Sequence, residues 1–160
     1  DNNECSSATI LKAHNLTIEG QTITEGLWVG GLSEVCSIDF AIQAATYSSE
    51  TTPANWIPTP DADVWYRIPL PTGTTQAYQI NITLDSGAYS TSPLTVKYLA
   101  IYTGTCGALV LKDSVPKTSL RTSVVYYEIP SANTDPYLYV RIGSTTGGYV
   151  DIIIDSYNPE

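Results

Sequence analysis

"YQINITLD", residues 78–85, alternates apolar and polar side chains without a break. Tyr78, Ile80, Ile82 and Leu84 fall on one side; Gln79, Asn81, Thr83 and Asp85 fall on the other. A helix would scatter those four apolar residues, whereas a strand, with its period of two, gathers them on one face. The stretch predicts a β-strand with one buried side.

The same period recurs downstream. "YLYVRIG" (137–143) sets Leu138, Val140 and Ile142 inward and Tyr137, Tyr139 and Arg141 outward. "YVDIIIDSY" (149–157) sets Val150, Ile152 and Ile154 against Asp151, Ile153 and Asp155. "LTVKYLAIYTG" (94–104) and "TSVVYYEIP" (122–130) are β-branched and aromatic but alternate less cleanly, as strands covered on both faces do. Turn signals separate these runs: "PTGTT", "DSGAYSTSP", "TGTCG", "PSANTDP" and "TTGG". Short strands at this spacing predict an all-β, antiparallel sandwich or barrel, with residues 1–160 forming a single domain. Its expected core includes Val64, Tyr66, Ile80, Ile82, Leu84, Leu138, Val140, Ile142, Val150, Ile152 and Ile154. Only "DFAIQAATYSSE" (39–50) hints at a turn or two of helix. "SSETTPANWIPTP" (48–60) reads as a surface loop, of a length that is often functional.

Composition narrows the setting. The charged fraction is 14% and Thr and Ser carry much of the polarity, which suits a β-rich extracellular domain better than a cytosolic enzyme. There is no methionine and the sequence begins at Asp1, so cleavage, most simply of a secretory signal peptide, or excision from a longer chain is expected. No apolar run reaches the roughly 18 residues of a membrane span. The net charge of −9 argues against nucleic acid, which needs a basic face, and favours divalent cations.

Catalytic signatures are missing. His14 is the one histidine, and no nucleophile elbow, zinc-protease helix or phosphate loop is present. A zinc site needs about four Cys or His ligands at close spacing, which Cys5, His14, Cys36 and Cys106, scattered along the chain, do not supply. Calcium fits better, because it takes carboxylate and carbonyl oxygens in loops, and Asp61 and Asp63 in "PDADVWY" are the best candidates. Asp before a strand also forms turns without any metal. Among Trp28, Trp56 and Trp65, only Trp56, inside the Pro-rich loop, offers a platform for stacking on sugars; Trp65 reads as core. Asn15-Leu-Thr and Asn81-Ile-Thr are N-glycosylation sequons.

Four motifs then follow in order: "NNECSSATIL", "DADVWYRIPLP", "LAIYTGTCGALVL" and "PYLYVRIGSTTGGYVDIII". Their order resembles the jelly-roll or pre-peptidase-like β-sandwich modules of secreted and surface proteins in Bacteroidota-type bacteria. The resemblance covers nearly the whole chain. It implies an antiparallel sandwich of jelly-roll type outside the cell, and it implies no catalytic activity. In such modules the two early cysteines bridge, which implies Cys5–Cys36 here. The cysteine of the Thr-Cys-Gly turn pairs one strand later, where this chain reads "LKDSV", so Cys106 is left as a buried thiol or a link to another chain. "DSV" (113–115) also matches the O-glycosylation acceptor of such bacteria, which would place sugar on Ser114.

The expected function is extracellular and structural. The chain would be a self-assembling subunit of a surface fibre or an adhesive module, touching copies of itself or cell-surface and matrix components through strand edges and terminal strands. The alternative is a carbohydrate-binding module built on Trp56. No cofactor is required, although calcium could bridge acidic subunits.

Overall fold

The computed structural model describes residues 4–10, 16–18, 21–23, 33–40, 47–85, 98–116, 124–144 and 148–157, with side chains at 4–8, 47–83, 98–116 and 124–143. A single 3₁₀ turn, Cys5–Ser7, opens the chain. Among the described residues the strands that follow are β1 (Thr9–Ile10), β2 (Leu16–Ile18), β3 (Gln21–Ile23), β4 (Ser33–Phe40), β5 (Ala62–Pro69), β6 (Tyr78–Asp85), β7 (Tyr98–Thr105), β8 (Ala108–Val115), β9 (Val124–Ile129), β10 (Tyr137–Ser144) and β11 (Gly148–Tyr157). One sheet runs β1-β5-β10-β7-β8, a second runs β4-β11-β6-β9, and β2 and β3 form a separate hairpin. Every pairing is antiparallel except β1 on β5.

The chain is an all-β sandwich, as the period of two predicts. Alternate residues of β5 (Val64, Tyr66, Ile68), β10 (Leu138, Val140, Ile142) and β7 (Leu99, Ile101) meet Ile80 and Ile82 of β6 and Val125, Tyr127 and Ile129 of β9 in one buried cluster between the sheets. Among the expected core residues, the side chains of Leu84, Val150, Ile152 and Ile154 lie outside the described ones. The hinted helix at 39–50 is not borne out at its described ends: Asp39 and Phe40 finish β4, and Tyr47–Glu50 belong to the loop. Among the described residues, no helix is long and apolar enough to cross a membrane.

The outer face of the first sheet is also covered. Trp65, Tyr98, Ala100, Tyr102 and Tyr139 form a second buried cluster with Cys5 and Trp56, against which Ala8, Tyr47, Cys106 and Leu109 pack. The covering layer is the N-terminal segment together with loop 47–60. This explains why β7 does not alternate cleanly: Tyr98 to Thr103 is buried throughout, one residue into each layer in turn.

The disulfide corrects the expectation. Cys5 is bonded to Cys106, not Cys36, with Cα atoms 5.7 Å apart. Gly107, at φ +93°, turns the chain between Thr105 and Ala108 and places Cys106 at the hairpin tip, beside the covering N-terminal segment. Cys106 is therefore neither a free thiol nor an intermolecular link. The unassigned cysteine is Cys36, opposite Ile152 on β4.

Two predictions follow from this packing. Non-reducing peptide mapping will join Cys5 to Cys106, and Cys5→Ser with Cys106→Ser will lower unfolding stability in urea by about 2–5 kcal/mol. Burial and then the nearby Asp135 charge push the Tyr127 hydroxyl up to about 12. The fold holds the neutral phenol, so this contribution is whole below the usual 10.0 and is lost as pH rises through about 12. Tyr127→Phe should remove roughly 2–3 kcal/mol of that alkaline loss, read from denaturation curves between about pH 9 and 12.

Candidate functional site: a buried arginine clasp and a divided strand edge

Arg141 lies on β10 between Trp65 of β5 and Ala100 of β7. The strand period points it away from the inter-sheet core, as expected. It is nevertheless fully buried, because loop 47–60 closes over it. Its Nε donates to Asp63 Oδ2 at 2.6 Å. Nη1 donates to Thr51 O and Tyr102 Oη, and Nη2 to Ser48 Oγ and Glu50 O. Five donors meet five acceptors, three of them supplied by the loop. Arg141 Cζ also lies 4.9 Å from the centroid of the Trp56 ring and 5.1 Å from those of Trp65 and Tyr47. Burial alone would lower the Arg141 pKa; Tyr102 and Asp63 outweigh it and hold the guanidinium above its ordinary value. Burial likewise raises the Tyr102 hydroxyl, against the opposing pull of Arg141.

This arrangement gives Asp63 a different role from the calcium ligation expected of it. Its Oδ1 accepts from Ser48 N at 2.7 Å, and its Oδ2 accepts from both Ser48 Oγ and Arg141. Asp63 is fully buried while Asp61 is exposed, so the two do not converge on a common site. Among the described residues, no group of three or more His, Cys, Asp or Glu side chains could hold a metal ion. His14 lies outside the described residues.

Trp56 is also corrected. It is 1% exposed and packs edge-on to Tyr98 at 5.5 Å between ring centroids, so it offers no open face to a sugar. Gly143 makes the seat: a Cβ there would come within 2.7 Å of Pro60 Cγ and 3.0 Å of Trp56 Cζ3. Trp65 is buried as expected, and Trp28 lies outside the described residues.

Loop 47–60 also reaches the edge of the sheet. Asn55 Nδ2 donates to Ser114 O at 3.0 Å, and Ser114 Oγ donates to Asn55 Oδ1 at 2.8 Å. Asp113 Oδ1 accepts from Ser114 N, and its Oδ2 accepts from Tyr126 N on β9. The far half of β8 is therefore capped by side chains and tied across to the second sheet. The capping also engages the Ser114 hydroxyl expected to carry sugar. Between Leu111 and Asp113 the register to β7 shifts, leaving Lys112 as a bulge. On the near side, Val110 and Leu111 are 52% and 44% exposed. Among the described residues β8 pairs with β7 alone, so Ala108–Leu111 is an edge with apolar side chains facing water.

Asn81, the second sequon, is half-buried on β6 and accepts from Gln79 Nε2 at 3.0 Å. Asn15 lies outside the described residues. Comparison with protein-family models and with curated protein sequences gives no match.

The clasp joins distant positions, which the period of two could not disclose. A basic residue among the outward positions of an otherwise apolar strand was its only signal. Arg141→Met should strand Asp63 as an unpaired buried charge and cost about 3–5 kcal/mol in urea unfolding, with increased proteolytic cleavage in loop 47–60. Arg141→Lys will rescue little, because one ammonium cannot serve five acceptors.

Proposed function

We propose that this chain is an extracellular structural module that assembles with copies of itself, or adheres to a surface partner, through strand edges. The observation that carries this reading is the split edge of β8. One half is closed by Asn55, Asp113 and the Lys112 bulge, while among the described residues nothing pairs with Ala108–Leu111, beside exposed Val110 and Leu111. Proteins that remain apart cover, charge or twist such edges. Here those devices are present and stop halfway along one strand.

Two further features support the setting. A disulfide between Cys5 and Cys106 suits an oxidising compartment. The eight longer strands, ordered β4-β11-β6-β9 and β5-β10-β7-β8, support the jelly-roll reading and with it the resemblance to secreted surface modules. Calcium at Asp61 and Asp63 has no place in this proposal, because Asp63 is committed to Arg141. Nor does the carbohydrate alternative, whose platform is buried.

Electron microscopy and sedimentation velocity of the purified chain, in calcium and in chelator, test the reading. Concentration-dependent oligomers or fibres are expected under both conditions. A single monomeric species throughout, with no retention on cell-surface or matrix preparations, would sink it.

A further inference from the structure

A second arginine stands on the outward face of the first sheet, and it lacks an acceptor. Arg67 lies on β5 two residues beyond Trp65, directly opposite Tyr139 of β10. Arg141, on the same face, meets five acceptors. Arg67 meets none: its Nε is buried without a partner, and among the described residues neither a hydrogen bond nor an ion pair reaches its guanidinium. The guanidinium rests instead on the Tyr137 ring, with Cζ 4.6 Å from the centroid.

The chain has 16 acidic residues against 7 basic ones, so an arginine left without an acid is unexpected. The acids near it are engaged elsewhere. Asp63, on the same strand, holds Arg141 and Ser48. Asp135, two residues before Tyr137, is bound through its backbone to Asn133, and its charge bears on Tyr127. A buried donor left unpaired is costly, and the attraction between cation and ring offsets only part of that. Arg67 is half-buried with Nε the enclosed atom, so its fork meets solvent at the Nη end.

We propose that Arg67, seated on Tyr137, binds a carboxylate of an acidic peptide. This goes beyond the strand-edge reading and does not depend on it. The planar fork matches the two oxygens of a carboxylate, and a side-on seat gives Nε the acceptor it lacks. Turning the fork outward to reach the ligand breaks no hydrogen bond, because none is made. The stack already fixes the plane of the guanidinium, so little freedom is lost on binding. One cation neutralises one carboxylate, whereas the net charge of −9 repels the further charge of a phosphate. A sugar acid is disfavoured because its ring needs an open aromatic face. Arg67 lies over Tyr137, and Tyr139 is only 8% exposed.

An NMR titration of the nitrogen-15-labelled chain at fixed ionic strength tests this. The Nε–H resonance of Arg67, identified as the one lost in Arg67→Lys, reports the site directly. A blocked peptide of four glutamates and sodium acetate should each move it saturably, and the matched glutamine peptide should not. Arg67→Gln and Arg67→Lys, checked for wild-type circular dichroism and melting and followed through the Tyr139 amide, should bind the glutamate peptide about tenfold more weakly or worse. Arg67→Lys keeps the charge and the aliphatic stem, and so serves alone if Arg67→Gln does not fold. Sodium glucuronate and inorganic phosphate should need higher concentrations than the glutamate peptide. If glucuronate saturates below it, the carboxylate comes from a sugar and the peptide assignment falls. If phosphate does so, the site is not one for carboxylates. A resonance that no probe moves, or variants that bind the peptide as tightly as wild type, would overturn the site itself.

Discussion

The ion pair of Arg141 with Asp63 holds the outer layer of the molecule in place. Each partner sits on a strand of the first sheet, β10 or β5, and each reaches into loop 47–60. Burying two charges is costly, and this pair is tolerable because the guanidinium donors and both carboxylate oxygens are bonded. With the pair intact, Thr51 and Glu50 carbonyls are fixed, Trp56 drops onto Gly143, and the aromatic face of the sheet leaves water. Without it, the aromatic face of the first sheet would lose the part of its cover that loop 47–60 supplies, Trp56 included.

A second consequence runs outward from the same loop. Asn55 stands beside Trp56 in sequence, and its amide closes the Ser114 end of β8. One loop therefore both seals the buried clasp and closes one end of the sheet edge. Edge protection in this chain comes from the interior outward rather than from the edge residues alone.

How far the sequence discloses this depends on the range of the interaction. Alternation at 62–68, 78–83 and 137–143 reports the local period of a strand, and it identifies both the sandwich and the inward residues Val64, Tyr66, Ile80, Ile82, Leu138, Val140 and Ile142. The same alternation sets Arg141 outward but cannot say that a loop lies above it. Trp56 looks available in a Pro-rich loop because the small residue that receives it, Gly143, is distant in the chain. Asp63 looks like a metal ligand for the same reason: its counter-charge arrives from β10. The split of the β8 edge rests on Asn55 and on a one-residue register shift, neither of which has a local signature. The cysteine pairing differs from what the resemblance implies because the N-terminal segment lies against the tip of the β7–β8 hairpin, a contact across the covering layer with no local signature.

That pairing has a consequence in time. A chain made from its N-terminus presents Cys5 and Cys36 together long before Cys106 has appeared, and the shorter loop closes at lower entropic cost. The earliest oxidation available to the emerging chain is thus the wrong one. A Cys5–Cys36 bond made at that stage would give way to the native one only by exchange, the Cys106 thiolate attacking Cys5 with Cys36 as the leaving thiol. Exchange, as well as oxidation, would then bear on how the native pairing is reached.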